Sequence, residues 1–290
     1  MSTVDIRLVN DIKNILKNGH KDENPRPHYE DGTPAHTYSV NHVVRQYDLS
    51  KGYFPICTLR PIAWKSAIKE LFWIYIDQSN SLEILNNKYG VHYWNLWESK
   101  DIQGTIGVRY GETVRRHDLM NKLLDGIKND PYGRRHIINL WQEEDFKASD
   151  GLKPCCYETI WNVRGEYLDM LLNQRSGDML TASGAGGVNE VQYAAFHMMV
   201  AKATGYIPGK FTHIIENEQI YDRHIDASNE LIRRLEEQQG DSHFYTEEMH
   251  KPVIMKFEPK SNNFYDFKVE DFELIGYKPI KPQLKLELGI

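Results

Sequence analysis

The order in which apolar periodicities follow one another is what most constrains this chain. Helical patterns come first, strand patterns cluster in the middle, and helices recur among and after them. Residues 3–18 read as an amphipathic helix ending before Gly19, and 20–36 (HKDENPRPHYEDGTPAH) as a polar loop rich in turn formers. From Trp64 to Tyr75, apolar residues at 64, 67, 68, 71, 72, 74 and 75 keep the i, i+3, i+4, i+7 spacing of a buried helix face. Residues 81–88 and 116–129 are further helical stretches, and His136–Trp141 reads as a buried strand. Tyr157–Val163 and Glu166–Gln174 flank Arg164-Gly165 as an antiparallel hairpin whose turn type the sequence leaves open. Val191–Thr204 reads as a Met-rich helix capped by Gly205. Phe211–Ile215 then reads as a strand, followed by a long helix to about Gln239. This is not a βαβ alternation, and it predicts an α+β fold. No repeat, low-complexity tract or linker divides residues 1–290, so one domain is expected.

Charge and cysteine usage narrow the function. The net charge of -6 and pI near 6.1 argue against a general nucleic-acid surface, so an anionic ligand needs a local arginine cluster. Cys57, Cys155 and Cys156 are odd in number and two are adjacent, which cannot build a disulfide framework and points to a reducing compartment. The N-terminus lacks the basic and apolar regions of a signal peptide. The stretch from Ile62 to Ile76 is too short to span a bilayer and carries Lys65, Lys69 and Glu70. A cytoplasmic protein without a membrane partner is expected.

Several residues carry chemistry. Cys155 follows Pro154 at a strand entrance, and Arg175 sits at the end of the next strand, where a guanidinium favours the nucleophilic thiolate. The alternative is that Cys155 and Cys156 are small buried hydrophobes. Arg134 and Arg135 precede the HIINLW strand, and Gln174-Arg175-Ser176-Gly177-Asp178 joins a guanidinium to a hydroxyl and a glycine. Phosphate recognition uses such donors, although an arginine pair alone is as readily a solvated surface. Glu70 falls between Ala67 and Ile74 on an apolar helix face, either paired structurally or held with a raised pKa. Trp94 and Trp97 either stack a planar heterocycle or fill core. Asn189 is either a helix N-cap or an amide that reads a pyrimidine edge.

Taken jointly, these residues resemble the thymidylate synthase family, its Gram-positive branch in particular. The matching motifs are Pro154-Cys155, Gln174-Arg175-Ser176-x-Asp178, Asn189-x-x-x-Tyr193 and Ile220-Tyr221. With them come Lys69-Glu70-Leu71, Tyr93-Trp94-x-x-Trp97, Gly107-x-x-Tyr110-Gly111 and Arg134-Arg135. The resemblance implies a three-layer fold whose mixed sheet forms a homodimer interface, with dUMP and 5,10-methylenetetrahydrofolate as partners and no metal. It implies that Cys155 attacks C6 of dUMP, Glu70 organises proton transfers, and Tyr110 assists removal of the C5 proton. Asn189 would read N3–H and O4 of uracil, oriented by neighbours such as Gln192 and Gln219, and Tyr221 would bond the deoxyribose. Arg26, Arg175 and Ser176 would hold the phosphate, joined by Arg134 and Arg135 donated from the neighbouring subunit. Gly177, Asp178 and Gln219 fall on the nucleotide-binding stretch. Asp178, Glu70, Trp94 and Trp97 would meet the folate, and Gly289 would belong to a closing C-terminal lid.

The chain departs from the family pattern in places. Gln219 stands where a histidine is expected, and Gly177 where Cys or Asn is usual. Cys156 replaces the common histidine after the nucleophile, and Ala63 a folate-contacting histidine. A longer segment, 183–188, replaces the Pro-Phe before Asn189. Two activities follow. The first is thymidylate synthesis, in which hydride reduction gives dTMP; the alternative is a dUMP hydroxymethylase, in which water adds to give 5-hydroxymethyl-dUMP. A non-catalytic nucleotide-binding paralogue is a third reading.

Overall fold

A computed structural model describes residues 3–240 and 252–290. The chain runs α1 (Thr3–Asn18), β1 (His20–Lys21), β2 (Thr37–Asp48), α2 (Trp64–Tyr75), α3 (Leu82–Tyr89), α4 (Gly111–Arg116) and α5 (Leu119–Asn129). It continues with β3 (Ile137–Asn139), α6 (Glu143–Ala148), β4 (Cys156–Arg164), β5 (Tyr167–Gln174), β6 (Gly177–Asp178) and α7 (Val188–Thr204). β7 (Ile207–Tyr221), α8 (Ile225–Gly240), β8 (Ile254–Phe257) and β9 (Phe272–Ile275) complete it. The main sheet has the order β1-β2-β7-β5-β4-β3, with β6 paired to β7. β5 and β6 run parallel to β7 and the other pairs are antiparallel, so the sheet is mixed and the fold α+β.

α7 lies between β5 and β7 on one side and α2 on the other. Buried from Glu190 to Phe196 without a break, it shows little amphipathic periodicity because it has no solvated face. α2 turns Ala67, Ile68, Leu71 and Phe72 inward as its spacing predicts, and carries Glu70 inside with them. α1 buries Val4, Leu8, Val9, Ile12 and Ile15 and packs against α8 and β2.

Several expectations shift. The helix expected over 116–129 begins only at Leu119, because Asp118 adopts a left-handed φ of 51° that separates it from α4, which ends at Arg116. The hairpin turn is Gly165-Glu166, one residue later than expected, with Arg164 facing Tyr167. Positive φ occurs only at Gly165, the first central residue, which is the type II′ pattern. β3 is shorter than His136–Trp141, and its edge position leaves Ile137 exposed. β7 extends well beyond Phe211–Ile215 at both ends, and α7 begins three residues before Val191.

The extension of β7 depends on a buried ion cluster. Arg45 of β2 is 1% exposed. Its Nε donates to Asp11 of α1 at 2.9 Å, and its Nη1 to Ser183 O at 2.8 Å and to Glu190 of α7 at 3.3 Å. Its Nη2 donates to Glu218 of β7. Glu190 also accepts from Tyr47 Oη at 2.6 Å and from the Gly186 amide at 2.7 Å. Removing Arg45, the one cation that these carboxylates share, would strand them in a poorly solvated interior, at a cost of about 3–5 kcal/mol.

Burial pushes the Glu218 carboxyl up to about 7 against the pull of Arg45, and its Oε2 has no hydrogen-bond partner. The folded chain therefore keeps a proton that the unfolded chain releases near its ordinary 4.5. Stability falls as pH rises between these values. Glu218→Gln, which copies the protonated form, is expected to raise Tm by several degrees at about pH 8 and to change it little at about pH 5. A gain that is equal or larger at the lower pH, in paired thermal melts, contradicts this assignment.

Candidate active site

The β4–β5 ladder sets the first pair of groups. Cys156 faces Gln174 at the ladder's end, and the register slips at once between Cys156 and Glu158. A bulge at a strand entrance re-aims the adjoining side chain. Cys155 and Arg175 thus lie side by side just beyond the ladder, with the Arg175 amide donating to Cys155 O at 3.0 Å. The guanidinium is braced by Pro154 O and Lys153 O, both at 2.9 Å, and its Nη2 lies 3.6 Å from Cys155 Sγ. Burial pushes the Cys155 thiol up, while Arg175 and then Arg26 pull it back, with the net shift upward. Cys156 is buried, donates Sγ–H to Gln174 Oε1 at 3.3 Å and is pushed further up. The small-hydrophobe reading therefore describes the buried Cys156, whereas Cys155 is partly exposed and lies beside a guanidinium.

Tyr110 stands behind the thiol. Its φ of 47° is uncommon for a residue with a Cβ and places the phenol where its oxygen accepts from the Cys155 amide at 3.4 Å. Burial keeps this phenol protonated. Its ring meets Trp94 edge-on at 5.1 Å, and Trp94 meets Trp97 at 5.6 Å across the 3₁₀ turn Tyr93–Trp97. Trp94 is buried and Trp97 half-buried, so only Trp97 is placed to serve both expected roles.

Glu70 combines both readings made for it. Its carboxyl is buried and pushed up by burial, with Tyr93, Trp94 and Gln192 pulling the other way. Tyr93 Oη donates to it. Tyr93 had no assigned role in the sequence, because a tyrosine beside two tryptophans reads as packing.

Asn189 is the second residue of α7, whose N-cap is Gly187, so the N-cap reading fails. Its Oδ1 accepts from Ser183 Oγ at 3.0 Å and Gln174 Nε2 at 3.3 Å. Gln192 and Gln219 were expected to orient this amide. Instead Gln192 donates to Ala67 O at 3.1 Å, and Gln219 lies half-buried on β7 opposite Ser39. Ser183 comes from the longer 183–188 segment, and a Cβ on Gly177 would lie 2.7 Å from Ser183 Cβ. Two departures from the family pattern are thus one: glycine at 177 makes room for Ser183.

The remaining residues ring this group. Ser176 is half-buried, and its carbonyl accepts from Gln174 Nε2 at 2.9 Å. Asp178 caps the 179–183 turn, accepting from Leu180 N at 3.2 Å, so much of its hydrogen-bonding capacity is used locally. Arg26 is exposed on the β1–β2 loop, close enough to bear on both Cys155 and Tyr221. Residues His28 and Ile290 exchange backbone hydrogen bonds at 2.9 Å, and a Cβ on Gly289 would lie 2.8 Å from the Tyr221 ring. The tail thus lies over Tyr221. Arg134 and Arg135 are exposed at the start of β3, at the end of the β3–β4 ladder remote from Cys155. Along β4 that separation is on the order of 20 Å.

Comparisons with known proteins agree on one family. The thymidylate synthase family model matches residues 7–290. The chain is 49% identical over 294 aligned positions to a thymidylate synthase of Streptococcus pneumoniae, and 48% identical over 294 to one of Streptococcus sanguinis, each covering 100% of both chains. Among solved structures it is similar to the thermostable thymidylate synthase A of Bacillus subtilis, with a TM-score of 0.85, 34% identity and 100% of both chains covered.

The thiol environment makes a direct expectation. In native protein, iodoacetamide should alkylate the partly exposed Cys155 before the buried Cys57 and Cys156. Arg175→Ala should slow that reaction about three- to tenfold at neutral pH by reducing the thiolate fraction. An unchanged rate, followed by peptide mass mapping, would show that Arg175 does not tune the thiol.

Proposed function

The chain belongs to the thymidylate synthase family, a family of folate-dependent methyltransferases that make dTMP from dUMP, and we propose that it performs this reaction through Cys155 at a site shared between two copies. The observation that carries the chemistry is the Cys155 thiol, held 3.6 Å from a braced guanidinium and backed by a protonated phenol. In this reading Cys155 Sγ bonds to C6 of the pyrimidine, and the displaced electron pair makes C5 nucleophilic. 5,10-Methylenetetrahydrofolate supplies the carbon and the hydride and leaves as dihydrofolate. Tyr110 assists loss of the C5 proton, and departure of Cys155 restores the ring double bond. Glu70, which burial pushes above the usual carboxylate range, would relay protons near O4 and the folate.

The surroundings fit a folate. The Trp94 indole is buried close to Glu70, half-buried Trp97 lies beside it, and Gly289 forms part of a tail that can cover the site. Asp178, close enough to bear on Tyr221, would meet the folate. Asn189 offers its Nδ2 hydrogens to O4, and its long 3.3 Å bond from Gln174 is the one that N3–H can share. Arg26, Arg175 and Ser176 hold the phosphate, Gly177 and Gln219 border the nucleotide, and Tyr221 reaches the deoxyribose. Among the described residues no cluster of three His, Cys, Asp or Glu side chains suits a metal ion, and the reading uses none. No helix among them is long and apolar enough to cross a membrane, in keeping with a cytoplasmic enzyme formed by one domain over 1–290. Neither hydroxymethylation nor non-catalytic nucleotide binding gains an observation of its own.

The position of Arg134 and Arg135 supports a shared site. They cannot reach the phosphate held by Arg175 of their own chain, yet they stand exposed beside the edge strand. In a homodimer packed through the sheet, they would serve the neighbour. Arg134→Ala and Cys155→Ser homodimers are each expected to be nearly inactive. Mixed with confirmed subunit exchange, they should regain activity in hybrids carrying one intact site. No recovery would contradict donation across the interface.

A further inference from the structure

A continuous hydrogen-bond path leads from the ion cluster to the base-facing amide. Gln174 is the junction. Its Nε2 donates to Ser176 O at 2.9 Å, and a backbone carbonyl only accepts, which fixes the amide orientation. The same Nε2 lies 2.7 Å from Ser183 Oγ and 3.3 Å from Asn189 Oδ1. Gln174 Oε1 therefore points the other way, where His213 Nε2 lies at 2.9 Å. His213 is fully buried, and its Nδ1 faces Glu190 Oε1 at 3.1 Å. Both ring nitrogens thus face oxygen acceptors, but burial pushes the imidazole down against the pull of Glu190, so the neutral ring has one hydrogen to give and Gln174 receives it only in the Nε2–H form. Glu190 is itself held by Arg45, Tyr47 and the Gly186 amide.

The path has a polarity. In the Nε2–H form His213 donates to Gln174 Oε1; with one amide hydrogen on Ser176 O, Gln174 has its second to share between Ser183 Oγ and Asn189 Oδ1. Ser183 then donates to Asn189 as well. With two donors on its carbonyl oxygen, Asn189 turns Nδ2 outward. An outward N–H matches the O4 acceptor of uracil and opposes the N4 amino donor of cytosine. A mismatched buried polar pair costs about 1–3 kcal/mol. Without the His213 donor, Gln174 Oε1 keeps only the weak Cys156 Sγ–H at 3.3 Å, so Gln174 is held less firmly and the Asn189 amide is freer to rotate and present its oxygen.

We propose that His213 is a specificity-determining positioning residue, which sits on the Arg45–Glu190 ion pair and, through Gln174 and Ser183, locks the Asn189 amide in the orientation that selects uracil over cytosine. It touches no reacting atom. The proposal rests on Asn189 as base reader, so the experiment separates the two.

The measurement is the Kd of dUMP and of dCMP by calorimetry on the full chain, without folate, together with kcat and KM for dUMP. Wild type should bind dUMP at least about tenfold more tightly than dCMP. Asn189→Asp should narrow or reverse that ratio. If wild type has no preference, or Asn189→Asp leaves it unchanged, the base-reader assignment fails. Given that assignment, His213→Leu and His213→Phe lack a donor and should cut the ratio about tenfold. His213→Gln restores a donor toward Gln174 and should keep the ratio within about threefold. The loss should appear mainly as a raised KM for dUMP with a smaller change in kcat. Ratios that ignore the presence of a donor overturn the proposal. Should neither apolar variant fold, Ser183→Ala cuts the same path nearer its end. It too must reduce the ratio, and an unchanged ratio in that variant likewise overturns it.

Discussion

One buried carboxamide ties this structure together. Gln174 closes the β4–β5 ladder opposite Cys156, and its amide reaches Ser176, Ser183, Asn189, Cys156 and His213. The strand that follows Cys155, the helix that carries Asn189 and the strand that carries His213 and Glu218 therefore share one hydrogen-bond junction. A carboxamide suits this place because it is both donor and acceptor, carries no charge and is fixed once a single neighbour has only one role. Here the Ser176 carbonyl has that single role, and His213 holds the same orientation from the oxygen side. A half-satisfied group in such an interior costs more than an apolar one, so the junction holds only if every partner is kept.

The ion cluster supports this junction from behind. Arg45 joins α1, β2, α7 and β7, and the backbone of the 183–188 segment reaches both Arg45, through Ser183 O, and Glu190, through the Gly186 amide. Gly186, at φ 68°, leaves no space for a Cβ, which would lie 2.3 Å from the Cys57 nitrogen. The longer segment is thus a backbone-packed element anchored by charge. It delivers Ser183 to the amide of Asn189, and glycine at 177 is the steric consequence.

The legible parts of this molecule are local. The facing of Cys155 and Arg175 followed from a hairpin whose two strands are adjacent in sequence. The inward face of α2, with Glu70 on it, followed from periodicity. The full length of β7 was hidden because Glu216, Asn217 and Glu218 read as a polar break, whereas Arg45, far away in sequence, makes a buried carboxyl at 218 tolerable. The orientation of Asn189 was hidden for the same reason. Its partners Gln174 and Ser183 meet it only after the sheet and α7 have packed. Tyr93 and His213 gave no signal of their own, since their meaning lies in the carboxyl or carboxamide opposite. The roles of Arg26, Arg134, Tyr221 and Gly289 came from family resemblance, and the geometry adds that Arg134 and Arg135 are remote from the thiol of their own chain.

The central claim is that the Cys155 site transfers a methylene to C5 of uracil and reduces it to methyl with hydride from the folate that delivered it. Mass spectrometry of the nucleotide after incubation with dUMP and 5,10-methylenetetrahydrofolate tests it most directly, with the folate product followed by its absorbance. The account predicts dTMP and dihydrofolate in equal amounts. A product heavier than dTMP by one oxygen, formed together with tetrahydrofolate, would contradict it.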